Sequence, residues 1–141
     1  MTDLTIGQAQ RMTAPAPFAL LTSADKEGKT NIMAVSWWTY LSNHPVKIGA
    51  CLSNKGYSGG NIREGGEFAI CVVDEQLKDS ALQCGRCSGR STDKAAELGI
   101  ELAEAKMISP KVVAASKVVF ECKLSDMLEV CLLYTSPSPR D

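Results

Sequence analysis

Apolar residues recur along this chain in short bursts rather than in long helical stripes. Phe18 to Ser23 (FALLTS) and Asn31 to Trp38 (NIMAVSWW) flank a charged, glycine-bearing stretch, Asp25-Lys-Glu-Gly28, and together predict a β-hairpin. Val46 to Leu52 predicts a third strand, reached through a loop at Ser42-Asn43-His44-Pro45. Glu67 to Val73 predicts a fourth, so continuously apolar that both its faces should be buried. From Val112 to Leu124 the even positions read Val, Ala, Ser, Val, Phe, Cys, Leu, while Lys117, Glu121 and Lys123 fall on odd ones. That alternation predicts one long strand with a buried and a wet face. Short helices are predicted over about Ser58 to Arg63, about Glu75 to Gln83, and Thr92 to Leu98, the last closed by Gly99. Residues 1 to 12 form a polar lead-in with a helical turn, and Ala14-Pro15-Ala16-Pro17 delivers the chain extended into the first strand. Short strands with turn signals and marginal helices imply a mainly β fold of barrel type, with no internal repeat and no linker.

Composition narrows the function. The 141 residues are 45% hydrophobic and 22% charged, an ordinary globular balance. A chain of this size buries roughly 68–70% of its unfolded surface and needs no disulfide or metal staple. Lys plus Arg number 15 against 16 Asp plus Glu, so the basic excess that displaces counterions from nucleic acid is missing and no such partner is expected. The longest apolar runs, such as Phe18-Ala-Leu-Leu21, are too short to span a bilayer. The opening MTDLTIGQAQRM carries no apolar signal segment, so the expected setting is a reducing cytoplasm with free thiols. Of the six cysteines, Cys51, Cys71 and Cys122 lie in apolar runs and read as small buried hydrophobes.

The end of the chain breaks the pattern. Cys131 to Asp141 reads CLLYTSPSPRD, a Ser/Pro run that a disordered tail would favour. The same run matches, residue for residue, the translation of a transposon-type sequencing adapter. The expectation is therefore a domain over residues 1–130, truncated at its C-terminus, with a non-native tail over 131–141. A strand lacking its expected neighbour would then leave an exposed, aggregation-prone edge.

Three stretches carry candidate chemistry. Met33-Ala-Val-Ser-Trp-Trp38 offers a strand edge, with the hydroxyls of Ser36, Thr39 and Ser42 beside it; the plainer reading is a buried strand with Trp37 and Trp38 as core and interface aromatics. Asn54-Lys55-Gly56-Tyr57-Ser58-Gly59-Gly60-Asn61 has glycines that let backbone approach an anion, a cation in Lys55, and Ser58 at a helix start; it also reads as a polar turn. In Ser88-Gly-Arg-Ser-Thr-Asp-Lys94, Thr92 or Ser91 would cap the following helix and Lys94 would be a solvated cation.

The run from Pro17 to Val73, together with CGRCSGRSTDKAAELGI, resembles the flavin reductase-like family, and the resemblance extends over about Pro17 to Val130. It implies an FMN-binding split β-barrel of flavoredoxin type. It further implies that Val35, Ser36, Trp37, Thr39 and Ser42 lie along the flavin ring and ribityl chain, and that Lys55, Ser58 and Asn61 hold the phosphate. Ser88 and Gly89 would supply close backbone, and Lys94 a second cation. Gly56 and Gly59 replace bulkier residues of the family pattern, so a looser loop is expected. The implied activity is hydride transfer from NADH or NADPH to flavin, with the cofactor doing the chemistry and no catalytic side chain required. The alternative is a flavoredoxin-like FMN carrier without direct NAD(P)H reductase activity. A homodimer with flavin at the subunit interface is expected, with a redox protein or monooxygenase as further partner.

Other motifs point elsewhere only weakly. Cys84-Gly-Arg-Cys87 is a C-x-x-C, but a thioredoxin-like site needs a strand before it and a helix after it, and here a helix precedes. Zinc would need two more ligands, and His44 is the single histidine, read as a loop residue. No G-x-G-x-x-G occurs to hold a nicotinamide, which would stack transiently on the flavin.

Overall fold

Two strands with no polar face organise the chain. A computed structural model describes residues 3–13, 16–53 and 55–128; the tail reading over 131–141 lies outside them. β1 (Ala19–Ala24), β2 (Thr30–Val35), β5 (Glu67–Val72) and β8 (Val118–Lys123) form an antiparallel sheet in the order β2-β1-β5-β8. β1 and β5 are the central pair, and their burial is almost unbroken. Side chains alternate across a strand, so each of these two strands demands cover on both sides.

One face carries Ala19, Leu21, Val35, Ile70, Val72, Val118 and Phe120. It is covered by a separate hairpin, β3 (Trp38–Asn43) with β4 (Val46–Ala50), and by α2 (Tyr57–Gly65), which inserts Ile62. α1 (Ile6–Thr13) adds Ala9. Trp38, Tyr40 and Phe120 meet edge-on or tilted with ring centroids 5.8 Å apart, the arrangement that aromatic quadrupoles favour. Trp38 Nε1 donates to the Pro17 carbonyl at 2.7 Å, tying the hairpin to the entry of β1. The opposite face carries Leu20, Ile32, Ala69 and Cys71. It is covered by α3 (Lys78–Cys84), α4 (Lys94–Glu97) and a small pair, β6 (Leu102–Ala103) with β7 (Val112–Val113). The result is mainly β with short helices and antiparallel sheets.

Several elements differ from their predicted extents. The predicted Asn31–Trp38 strand breaks at exposed Ser36 and Trp37, and Trp38 begins β3 instead, paired with Ala50. Ser42 and Asn43, expected in a loop, are strand residues of that hairpin. The predicted strand over Val112–Leu124 is two: β7 belongs to another sheet, and a turn closed by Ser116 N–H on the Val113 carbonyl at 3.1 Å separates it from β8. The alternation persists through the turn because Ala114 and Ser116 are small, so periodicity alone does not register the break. Asp93, not Thr92 or Ser91, caps α4, its carboxylate accepting from Ala96 N–H at 3.2 Å. Glu75–Leu77 is a turn of 3₁₀ helix ahead of α3. Cys71 is buried and Cys122 partly so, but Cys51 is exposed just past β4, where the sheet no longer covers it.

Trp38→Phe removes the indole donor and leaves the Pro17 carbonyl without it. Urea denaturation should show a loss of about 1–3 kcal/mol, combining one hydrogen bond with lost ring volume. An unchanged midpoint would mean that the hairpin does not depend on this tether.

Candidate functional site

The apolar sheet has one polar end. Ser23 and Asn31 are direct partners across β1 and β2 and so share a face. Both are buried, as are Ser58 and Asn61 on α2. Asn31 Nδ2 donates to Ser58 Oγ at 2.8 Å, while among the described residues Ser23 Oγ and Asn61 Nδ2 have no hydrogen bond of normal geometry, Asn61 lying near the Tyr57 hydroxyl. A buried donor left unpaired costs about 1–3 kcal/mol, so polar groups gathered this way fit a ligand better than they fit a core. α2 begins at Tyr57 after Gly56, which has no side chain to cap it. No N-cap side chain takes up its first N–H groups, and free N–H groups at a helix start attract anions.

Gly89 closes this end. A Cβ at that position would overlap Asn31 Oδ1 and lie 3.1 Å from Tyr57 Cδ1, so only glycine lets the backbone come so close. Arg90 reaches across from the same segment, its guanidinium donating to the Lys55 carbonyl at 3.1 Å. The loop at Lys55 and the loop at Ser88 are thus one wall. Lys94 is buried, and its ammonium donates to the Cys84 carbonyl at 2.8 Å. A recess of about 10 Å³ lies between Asn31, Tyr57, Gly89 and Lys94, with Asp25, Lys29 and Asp93 around it.

Carboxylates near the recess are already engaged. Backbone N–H groups of Lys29 and Glu27 hold the Asp25 carboxyl below its ordinary range, with the Tyr57 hydroxyl adding to them at 3.2 Å. Desolvation, and after it the Asp25 contact, raise Tyr57. Asp93 is held down by the Ala96 N–H and by Lys29, whose ammonium lies 3.1 Å away. Anionic groups here are committed to backbone and cations, while Lys94 meets no carboxylate among the described residues.

The sequence-predicted residues fall into two groups. Ser58, Asn61, Gly89 and Lys94 belong to the polar end, with Lys55 and Ser88 exposed at its margin. Val35 is buried at the far end of β2; Ser36 and Trp37 are exposed beyond it, Trp37 at 77%. Thr39 is exposed on β3, and Ser42 pairs with Lys47 across a bulge in the hairpin. Gly56 and Gly59 do not loosen the loop. Added Cβ atoms would stand 3.0 and 3.3 Å from the Ser53 carbonyl oxygen, and Gly56 N–H already donates to it at 2.9 Å, so the turn is tight. Asn31, Tyr57 and Arg90 also belong to the site but were not selected from the sequence. Asn31 sits where a strand begins and reads as a turn neighbour, so no periodicity marks it as a buried polar hub.

A larger open recess of about 310 Å³ lies elsewhere, lined by Ala24, Lys26, Glu64, Glu67 and Pro110 among others. It contains none of the predicted site residues, and its Glu67 carboxylate is taken by Ser109 N–H at 2.8 Å.

Gly89→Ala should destabilise the fold by about 1–3 kcal/mol through overpacking against Asn31. Thermal melting of this variant beside Gly60→Ala, where nothing lies within 4 Å of an added Cβ, checks it. Equal shifts for the two would contradict the tight approach.

The chain is similar to several known proteins. Flavoredoxin of Desulfovibrio vulgaris (Miyazaki F) is 27% identical with a TM-score of 0.77, covering 80% of this chain and 62% of that one. An FMN-binding domain of a flavin reductase-like enzyme from Shewanella baltica is 24% identical with a TM-score of 0.79, covering 86% and 64%. An uncharacterised protein of Aeropyrum pernix is 25% identical over 111 residues, 78% of this chain and 42% of that protein. The chain thus spans less than two thirds of each of these relatives. The family described as flavin reductase like domain matches residues 11–134. With its antiparallel sheets and its split-barrel structural neighbours, the chain belongs to the flavin reductase-like family.

Proposed function

We propose that this chain is an FMN-binding oxidoreductase that reduces flavin with NADH or NADPH. The observation that carries the reading is the buried Asn61 amide on α2, whose nitrogen has no hydrogen bond of normal geometry among the described residues, one turn into a helix whose first residue, Tyr57, lines the same recess as the buried Lys94. Amide donors, a hydroxyl at Ser58 and an ammonium are the set a terminal phosphate takes. The recess admits about one water-sized group, so Lys55, Ser88 and Arg90, exposed at its margin, would hold the phosphate. From Asn31 to Val35 β2 extends about 13 Å. Ser36 and Trp37 lie exposed at that distance, and their backbone with the hydroxyls of Thr39 and Ser42 would hold the ring. Bound FMN supplies hydride acceptance; the protein binds, orients and shields one face, and no side chain need move a proton.

The likeness to a flavoredoxin favours a second reading, in which FMN is held and its electrons pass to a redox protein or monooxygenase. We place either activity in the cytoplasm. We further propose a homodimer with flavin at the subunit interface. Exposed Trp37, Leu41 and Val46, gathered on and beside the β3–β4 hairpin, support it, since aromatic residues are enriched in interfaces. No helix among the described residues is long and apolar enough to cross a membrane.

Lys55→Ala should weaken FMN about tenfold, the value of a single charge-assisted contact, and leave riboflavin, which lacks the phosphate, nearly unchanged. Equal losses for both ligands would remove the phosphate assignment. Stopped-flow mixing of the FMN complex with NADH or NADPH should bleach the flavin; bleaching only when a reduced redox protein is added would replace the reductase with the carrier. Light scattering should give a dimer, and a monomer that still binds FMN tightly would overturn the interface.

A further inference from the structure

Cys84 and Cys87 bracket the turn that delivers Ser88 and Gly89 to the polar end. Cys84 is the last residue of α3 and is 1% exposed, packed in the same cluster as Ala81, Ile100 and Val113. Cys87 is partly exposed, and both thiols are free. The turn between them stays wound: Gly85 N–H donates to the Leu82 carbonyl at 3.2 Å and Arg86 N–H to that of Gln83 at 2.9 Å. Cys87 Sγ returns to the same Gln83 carbonyl at 3.5 Å. Helical winding over three residues separates Cα atoms by about 5 Å, inside the roughly 4.4–6.8 Å that a disulfide spans. Helical Cβ atoms at this spacing lie about 5–6 Å apart, whereas a disulfide needs about 3.5–4.5 Å. Closure must therefore draw one residue inward. Cys84 is fixed by the core and by Lys94 on its carbonyl, so the movement falls on Cys87 and on the Ser88–Gly89 segment behind it.

We infer that Cys84 and Cys87 are a dithiol modification site, which a low-molecular-weight disulfide of the glutathione class oxidises to an intrachain disulfide. The helix precedes the pair instead of following it, so this is not the thioredoxin arrangement. Burial pushes the Cys84 thiol up, which leaves the accessible Cys87 as the first nucleophile. Its thiolate attacks the small disulfide, forming a mixed disulfide and expelling one small thiolate. The Cys84 sulfur, on losing its proton, attacks the Cys87 sulfur and expels the second. Two protein thiols lose two electrons, one small disulfide gains them, and the two thiol protons end on the two released small thiols. Closure withdraws the Gly89 backbone from Asn31 and Tyr57, so oxidation weakens FMN. This last step rests on the FMN reading above; the disulfide itself does not.

The test uses trypsin, which cuts at Arg86 between the two cysteines. After equilibration with oxidised glutathione and digestion without reductant, peptides 79–86 and 87–90 should appear joined, two hydrogens lighter than their sum. The joined species should be absent in Cys87→Ser and retained in Cys51→Ser, which removes the exposed rival thiol. Cys87 found only as its glutathione adduct, or left reduced, would overturn the site. FMN titration of reduced and oxidised protein should show a roughly five- to hundredfold weakening on oxidation, lost in Cys87→Ser. Equal affinities in the presence of the link would overturn the coupling and keep the disulfide. Failure of the reduced protein to bind FMN at all would sink the functional reading, with the peptide link still deciding the disulfide.

Discussion

Everything in this fold follows from two strands that have no polar side. β1 and β5 bury Leu20, Leu21, Ile70 and Cys71 fully, and each large apolar side chain so buried contributes about 1.5–3 kcal/mol. Such strands cannot face water on either side, so the chain must supply a cover for each. It does so with unlike material: a hairpin and α2 on one face, α3, α4 and a two-stranded pair on the other. The positions of α2 and α4 are therefore dictated by the core. Their polar ends come to the same end of β2 as a consequence.

That end is where the rule of apolar burial lapses. Among the described residues Ser23 and Asn61 each bury a polar atom without a hydrogen bond of normal geometry, and Lys94 buries a charge against a backbone carbonyl. Such groups oppose folding individually. They are tolerated because the rest of the sheet is so fully packed, and their concentration at one end separates the sheet into an aromatic half and a donor-rich half. Trp38, Tyr40 and Phe120 occupy the first; Asn31, Ser58 and Gly89 the second.

How much of this the sequence discloses depends on range. Turn chemistry and apolar runs are local, so the first hairpin, β4, β5, α2 and the Gly99 stop, with its φ of 63°, are all legible in outline. Breaks inside a run of compatible residues are not. Ser36-Trp37 and Ala114-Ala-Ser116 look like strand and become corners, because tertiary partners, Pro17 for Trp38 and Leu102 with Ala103 for β7, decide where pairing stops. The same holds for the site. The Lys55–Asn61 loop announces itself through glycines and a cation. Its contact with Gly89 joins residues far apart in sequence, and nothing near Asn31 reveals that it is the residue between them. Lys94 shows the same limit in reverse: its type suggests an exposed cation, yet it is buried, with its ammonium on the Cys84 carbonyl at the end of α3.

The link between core and site runs through one short segment. α3 is held by the core through Ala81 and Cys84, and Lys94 ties the Cys84 carbonyl to α4. From that anchored point five residues reach Gly89, whose backbone lies against Asn31 and Tyr57. Rigid elements thus set the floor of the site, Asn31 on a strand and Ser58 and Asn61 on a helix, while its rim is a turn fixed at one end. The rim is held by the close approach of Gly89 to Asn31 and Tyr57 and by Arg90 on the Lys55 carbonyl, so a displacement at Cys87 bears first on these contacts. A change in this turn therefore acts on the rim more than on the core, because of its residues Cys84 alone belongs to the core cluster.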